Sequence, residues 1–397
     1  MARAPFRRKS GAREANQLVR LAEGLASSKS RAEDVYWERE LEAAVMLQLE
    51  NNDEDAINRA LDKAHDAPDA TFDALADMVE SLTESIMLDS EKGPQRVTLF
   101  CAPILVWGRN QIPAKKIPKQ QLQDISVQLS AHVFSSKAKI ALADFMFAPD
   151  QLPHSYSQSR ELLQNLGTAI RERGHLTIDP KTVEDAPDVV CDMRMIVGAF
   201  QVTEGEPFYA WQETTTPVEE ARQNTLGIWR SQGGNAIKPL LVGFPHELTL
   251  PRSFFSACRD ADMASRAYSI GASVQYLEAV TNTTPDKLTA VIGGCWGNGL
   301  EEYRIGFAIN SNEGEDDDVV HGCVWPLVSD EGDDTPVVEE IEALLRAANV
   351  GTIILLEEQL PLEFCDDCGA PHFPNREGEM LHAHLPEDAE TGAVHLH

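Results

Sequence analysis

The spacing of apolar residues divides the chain into three stretches. Over residues 12–88 the period is helical. Leu18, Leu21, Ala22 and Leu25 share one face, and Leu41, Ala44, Val45 and Leu49 share another after Ser30, which forms a capping box with Glu33. Asn51-Asn52-Asp53 breaks the pattern. Ile57 and Leu61 mark a short third helix, and Pro68 opens a fourth that carries Phe72, Leu75, Val79, Leu82 and Ile86. These spacings predict a helical segment over 13–90, preceded by a flexible basic arm at 1–12.

The period changes at Arg96. Val97 to Trp107 is a near-continuous apolar run of strand length; helical and strand patterns then alternate to about residue 358. The fold class is therefore α+β, with subdomains expected at 95–236 and 237–360. An internal repeat suggests that the two are related. Arg194 to Phe200, Glu204-Gly205-Glu206, Trp211 and Thr216-Pro217-Val218 match Arg304 to Ala308, Glu313-Gly314-Glu315, Trp325 and Thr335-Pro336-Val337. Each copy reads as strand, glycine turn, strand and a helix opened by Thr-Pro.

The third stretch, residues 361–397, is a Cys/His-rich tail. Cys365-Asp366-Asp367-Cys368-Gly369 has the spacing of a zinc knuckle, in which two thiolates reach one ion and glycine relieves the turn. Five of the eleven histidines follow Pro371. His382 and His384 are two apart, as are His395 and His397, so each pair faces one side of an extended segment. The expected ligand set is Cys365, Cys368, His382 and His395, with His384 and His397 as rivals. A closed site would be structural zinc, because four ligands contribute folding free energy to a segment with little core of its own. A catalytic zinc with one open position and a metal-free dithiol are the competing readings. The histidine spacing of a DNA-binding finger is absent.

Charge adds one asymmetry. The net charge is −30, yet residues 1–31 hold eight basic residues against Glu14 and Glu23. A body this acidic repels nucleic acid and anionic membrane, so a nucleic-acid contact is expected only through the N-terminal arm. Seven cysteines, an odd number in a long chain, point to reduced thiols and a cytoplasmic setting. No apolar run is long enough to span a membrane, and the N-terminus lacks the apolar core of a secretory signal.

Other constellations are weaker. Arg109, Lys115, Lys116 and Lys119 form the clearest basic patch of the body and could hold a small anionic substrate. Gly293 to Gly299 reads as a flexible hairpin connection, with anion binding as the alternative. His154-Ser155-Tyr156-Ser157 sets a histidine beside hydroxyls, but helix capping by Ser155 explains it better. Phosphate-loop, dinucleotide-binding, nucleophile-elbow and metalloprotease motifs are all absent from the sequence.

Ala102 to Leu105, Asp150 to Pro153, Glu302 to Phe307, Pro361 to Pro371, Phe373 to Asn375, Glu377 to Glu379 and His395 to His397 carry a resemblance. Over nearly its whole length the chain resembles an uncharacterised betaproteobacterial family known as a domain of unknown function. The resemblance implies a bacterial, cytoplasmic protein whose cysteine knuckle is a family feature, and it supplies no catalytic residue. The expected function is a zinc-binding interaction or regulatory protein without catalytic activity, with an unknown protein partner. The alternatives are an enzyme using the Arg109–Lys119 patch and nucleic-acid contact through the arm.

Overall fold

The computed structural model describes residues 7–90, 93–172, 174–187, 189–310, 318–328, Glu331, 336–386 and Ala389, with the side chains of 7–10 left aside. It is a mixed α+β structure of N-terminal helices, two mixed sheets and a small C-terminal Cys/His cluster. The helices are α1 (Arg7–Ala26), α2 (Arg31–Glu50), α3 (Glu54–His65) and α4 (Asp69–Glu84). Their apolar stripes meet in one core that includes Leu18, Leu41, Val45, Ile57, Leu75 and Val79. Ser30 caps α2 by accepting the Glu33 N–H at 3.3 Å, as its capping box predicts. Helix α1 begins at Arg7, so residues 7–12 of the expected arm are helical. Ile86 departs from its expected helix. Ser85–Leu88 is strand β1, drawn off the end of α4 to pair with the edge of the next strand.

That strand, β2 (Gln95–Trp107), pairs antiparallel along its whole length with β6 (Cys191–Thr203). The sheet order is β1-β2-β6-β4-β3, where β3 is Lys115–Lys116 and β4 is Lys139–Phe147; β5 (His175–Leu176) joins the flank of β4. Helix α5 (Lys119–His132) covers one face. Helix α7 (Val218–Ile228) continues on that face through a π-helical turn at Trp229–Gly233 into the short α8 (Gly234–Ile237). Helix α6 (Tyr156–Glu172) and the start of α9 (Phe254–Thr281) cover the other. This double cover explains the near-continuous apolar run. Phe100, Ala102, Ile104 and Val106 enter one core, while Val97, Leu99 and Cys101 enter the other.

Strands β7 (His246–Leu248) and β8 (Arg252–Ser253) also pair with β2. The first sheet therefore reaches Ser253, beyond the expected boundary at 236/237. Helix α9 then serves both units. Phe254, Ala257 and Ala261 pack in the first, and Ile270, Val274 and Leu277 in the second. At 28 residues α9 is roughly 42 Å long, enough to bridge them.

The second sheet has the order β11-β10-β9-β12, from β9 (Leu288–Trp296), β10 (Leu300–Ile309), β11 (His321–Pro326) and β12 (Thr352–Leu355). Strand β13 (Leu360–Pro361) also lies parallel to β9. Helix α10 (Val337–Ala347) and α9 cover one face through Val337, Ile341, Leu345 and Ile270. The tail, with β14 (Phe373–Pro374) and β15 (Met380–Leu381), covers the other.

The internal repeat is not reproduced as a repeated topology. Strand β6 lies between two strands that reach it through helices, whereas β10 is the middle of a meander. Trp211, expected on a strand, sits in a 3-10 turn and stacks on Tyr209 with ring centroids 4.1 Å apart. Trp325 does lie on β11. Glu313-Gly314-Glu315 and Thr335 fall outside the described residues. What the two segments share is local: Arg194 and Arg304 are both fully buried, and each pairs with a carboxylate two residues earlier on its own strand, Asp192 or Glu302.

Candidate metal centre

The knuckle forms as its spacing predicts. Phe364 and Pro371 bridge the mouth of a tight hairpin. Within it the Cys365 N–H donates to the Ala370 carbonyl at 2.8 Å, and the Gly369 N–H to the Cys365 carbonyl at 2.8 Å. Gly369 stands at φ +73°, a backbone region strained for a residue with a Cβ. The Cys365 sulfur faces the backbone N–H groups of Cys368 and Asp367, which hold its thiol below the ordinary range. Burial pushes Cys295 up to about 11 and Cys323 up to about 12, and it also raises Cys101 and Cys191. The knuckle thiol is thus tuned in the opposite sense to the core thiols, toward the thiolate that binds metal.

A second hairpin supplies the imidazole. Phe373 pairs with Leu381 and Pro374 with Met380. Asn375 closes the turn, its side-chain oxygen accepting the Glu377 N–H at 3.0 Å and the Glu379 N–H at 2.8 Å. The return strand brings His382 beside the knuckle, with its Nε2 3.3 Å from the Cys368 sulfur. The ligand atoms of Cys365, Cys368 and His382 all lie within 4.8 Å of one another. Zinc–sulfur and zinc–nitrogen bonds meeting at a tetrahedral angle give a sulfur–nitrogen edge of roughly 3.5 Å. The observed approach matches that edge closely, so these three residues could hold a metal ion. His395, like His397, lies outside the described residues. His384 is exposed, with its ring centroid 4.5 Å from that of His382.

The hairpins have little interior of their own, so the sheet beneath them supplies it. A Cβ on Gly306 would lie 2.2 Å from the Pro374 carbonyl oxygen, and one on Gly322 would lie 2.3 Å from the Phe373 ring. Gly293 makes the same room for Leu360. Gly306 and Gly322 are register partners on β10 and β11, so the two glycines form one slot for β14. Phe373 is 1 % exposed in it.

Arg304 fastens the knuckle to that slot. Its Nη1 donates to the carbonyls of Glu363, at 2.5 Å, and His372, at 2.8 Å, the residues that flank the knuckle. Its Nε donates to Glu302 at 2.6 Å, and its guanidinium lies 4.8 Å from the Phe364 ring centroid. Planar donor geometry suits arginine to this work and lysine poorly. Sequence reasoning missed these supports. The signal available was Glu302-x-Arg304, which echoes Asp192-x-Arg194, and the glycines of β9 to β11, of which Gly293 and Gly294 were read as hairpin connection. They lie within β9; the hairpin tip is Gly297 to Gly299.

The basic patch does not converge. Arg109 donates to the Ala279 carbonyl on α9 at 3.4 Å. Lys116 pairs with Asp144 at 3.1 Å, and Glu184 and Asp185 join Lys115 in lining a cavity of about 380 Å³. Arg194 holds this loop down by donating to the carbonyls of Ile112, at 2.7 Å, and Pro113, at 3.0 Å. A second cavity of about 210 Å³ lies between the sheets. Of its lining residues, His321 meets Ser273 at 2.9 Å, and Arg266 pairs with Glu331 at 2.6 Å. Ser155 accepts the Gln158 N–H at 3.2 Å, the expected cap of α6. The basic side chains of the arm lie outside the described residues. No helix among the described residues is long and apolar enough to cross a membrane.

The fold and this cluster define an α+β protein whose glycine-slotted second sheet carries a two-cysteine, one-histidine group. The chain belongs to the family described as protein of unknown function, DUF2863, which matches residues 3–396. No curated protein and no solved structure matches it.

Proposed function

We propose that this is a zinc-binding interaction or regulatory protein without catalytic activity, working in the cytoplasm, in which a structural zinc fastens the C-terminal segment to the second sheet. Cys365, Cys368 and His382 are the ligands this reading rests on. The carrying observation is that their donor atoms gather within 4.8 Å on a hairpin whose base is tied to a buried arginine. Bound zinc neutralises two thiolates and joins the knuckle to the hairpin of β14 and β15. Its binding free energy then becomes folding free energy for a segment too small to fold alone. Exposed Phe364, resting on Arg304 beside the knuckle, offers a protein partner an aromatic contact held in a fixed place. The pairing of Lys116 with Asp144 weighs against the anionic-substrate alternative, because it leaves that patch with a carboxylate at its centre.

Metal analysis of the full chain, purified without chelator, tests the reading. About one zinc per chain is expected, lost on Cys365→Ser. A preparation with less than about 0.3 zinc per chain, unchanged by that substitution, would refute it.

A further inference from the structure

We propose that His384 is the fourth protein ligand, closing the site as Cys365, Cys368, His382 and His384. This rests on the reading that the first three hold zinc. Three donors leave a tetrahedral ion one position short, and structural zinc sites are closed by a fourth protein ligand. The local backbone points to which residue fills it. Ala383 is 6 % exposed and packs with Val319 and Phe373. Along an extended segment its two neighbours therefore face the opposite way together. The rings of His382 and His384 bear this out, with centroids 4.5 Å apart and planes tilted by 33°.

The His384 backbone is fixed while its side chain is exposed. Its N–H donates to the Val319 carbonyl at 2.8 Å, which pins the Cα beside the knuckle. As placed, the His384 ring does not join the group formed by the other three, and ligation requires this exposed side chain to turn toward them by a change of rotamer. His372 is the competing imidazole among the described residues, and it is the backbone of this residue, not its ring, that holds the knuckle. Its N–H donates to Glu363 at 3.0 Å, its carbonyl accepts from Arg304 at 2.8 Å, and its Nδ1 lies 3.6 Å from the Glu363 carboxylate. Its ring meets that of His382 edge-on at 6.2 Å, a poorer approach than that of His384. Ligation by His384 also removes the choice that the sequence leaves open between the two His-x-His pairs.

Cobalt(II) substituted into the full chain reads the coordination directly. Wild type should show sulfur-to-cobalt charge transfer and the intense visible bands of a tetrahedral ion. His384→Ala should keep the charge-transfer band, weaken the visible bands, and cost roughly 10-fold or more in zinc affinity measured against a chromophoric chelator. His384→Cys should restore the visible bands and strengthen the charge-transfer band, which a merely structural role could not do. The double variant His395→Ala/His397→Ala, and separately His372→Ala, should stay within about threefold of wild type. Loss of the tetrahedral bands in either of those, with His384→Ala unchanged, would overturn the assignment while leaving the metal centre standing. A wild-type chain that takes up no cobalt would overturn both.

Discussion

Both sheets are covered on two faces, but by different means. The first sheet lies between helices on either side, and the apolar area of β2, β4 and β6 suffices to hold them. The second has helices on one side only. Its other face is covered by a loop-rich tail that buries Phe373 and Ala383 and has few other apolar groups to commit. Each sheet uses the same local device near this difference. Arg194 and Arg304 stand two residues beyond a carboxylate, fully buried, and donate to the carbonyls of a neighbouring loop. In the first sheet that loop is one connection in a body already well packed. In the second it carries the two cysteines of the two-cysteine, one-histidine group that could hold a metal. A buried arginine can thus organise a loop, but a loop without a core calls for a further bond, and metal ligation is the one proposed for it.

The largest expected effect comes from removing that bond. Cys365→Ser should abolish zinc uptake and make the tail accessible to limited proteolysis, while the first sheet retains its protection. Next come the two arginines. Arg194→Met and Arg304→Met should each cost about 3–5 kcal/mol in denaturant unfolding, because each leaves a shielded carboxylate and two carbonyls unpaired. Only Arg304→Met should also weaken zinc binding, and a loss in both variants would erase the distinction.

A titration separates the sheets from the other side. Glu84 accepts the Phe255 N–H at 3.1 Å at the start of α9, and burial pushes its carboxyl up to about 7. The folded state thus holds its proton more tightly than the unfolded state does. This contribution to stability is highest below pH 4.5, declines as pH rises, and bottoms out above about 7. The amplitude is on the order of 3 kcal/mol. Glu84→Gln should flatten that part of a stability–pH curve without changing zinc content. The smallest pair of effects comes from glycines. Gly306→Ala sets a Cβ 2.2 Å from the Pro374 oxygen, and Gly198→Ala sets one 2.6 Å from the Ala141 oxygen. Each should cost about 1–3 kcal/mol. Gly306→Ala alone should lower zinc affinity, since it lifts the hairpin that bears His382.

Much of this is legible in the sequence. The helical period named the core of α1 to α4, and the apolar run from Val97 named the central strand. C-x-x-C-G named the knuckle, because its chemistry is local. Long-range pairing was not legible. Nothing near His246 or Arg252 announces that these strands close onto β2, and nothing near Leu88 announces β1. The resemblance between the segments at Arg194 and Arg304 was a true signal with a different cause. It marks a buried guanidinium and its carboxylate, and the pattern of a repeated subdomain does not follow from it. The slot at Gly306 and Gly322 is not legible in the sequence for the same reason: a missing side chain is explained only by the group that occupies its place.

Hydrogen exchange on the full chain, with zinc bound and after chelation, tests the central claim most directly. Removing zinc should raise exchange over 363–385 and along β10 and β11, and leave β2 and β6 as they were. Equal exchange in the two states across the tail, or a loss spread evenly over both sheets, would contradict the claim that metal fastens this segment to the second sheet.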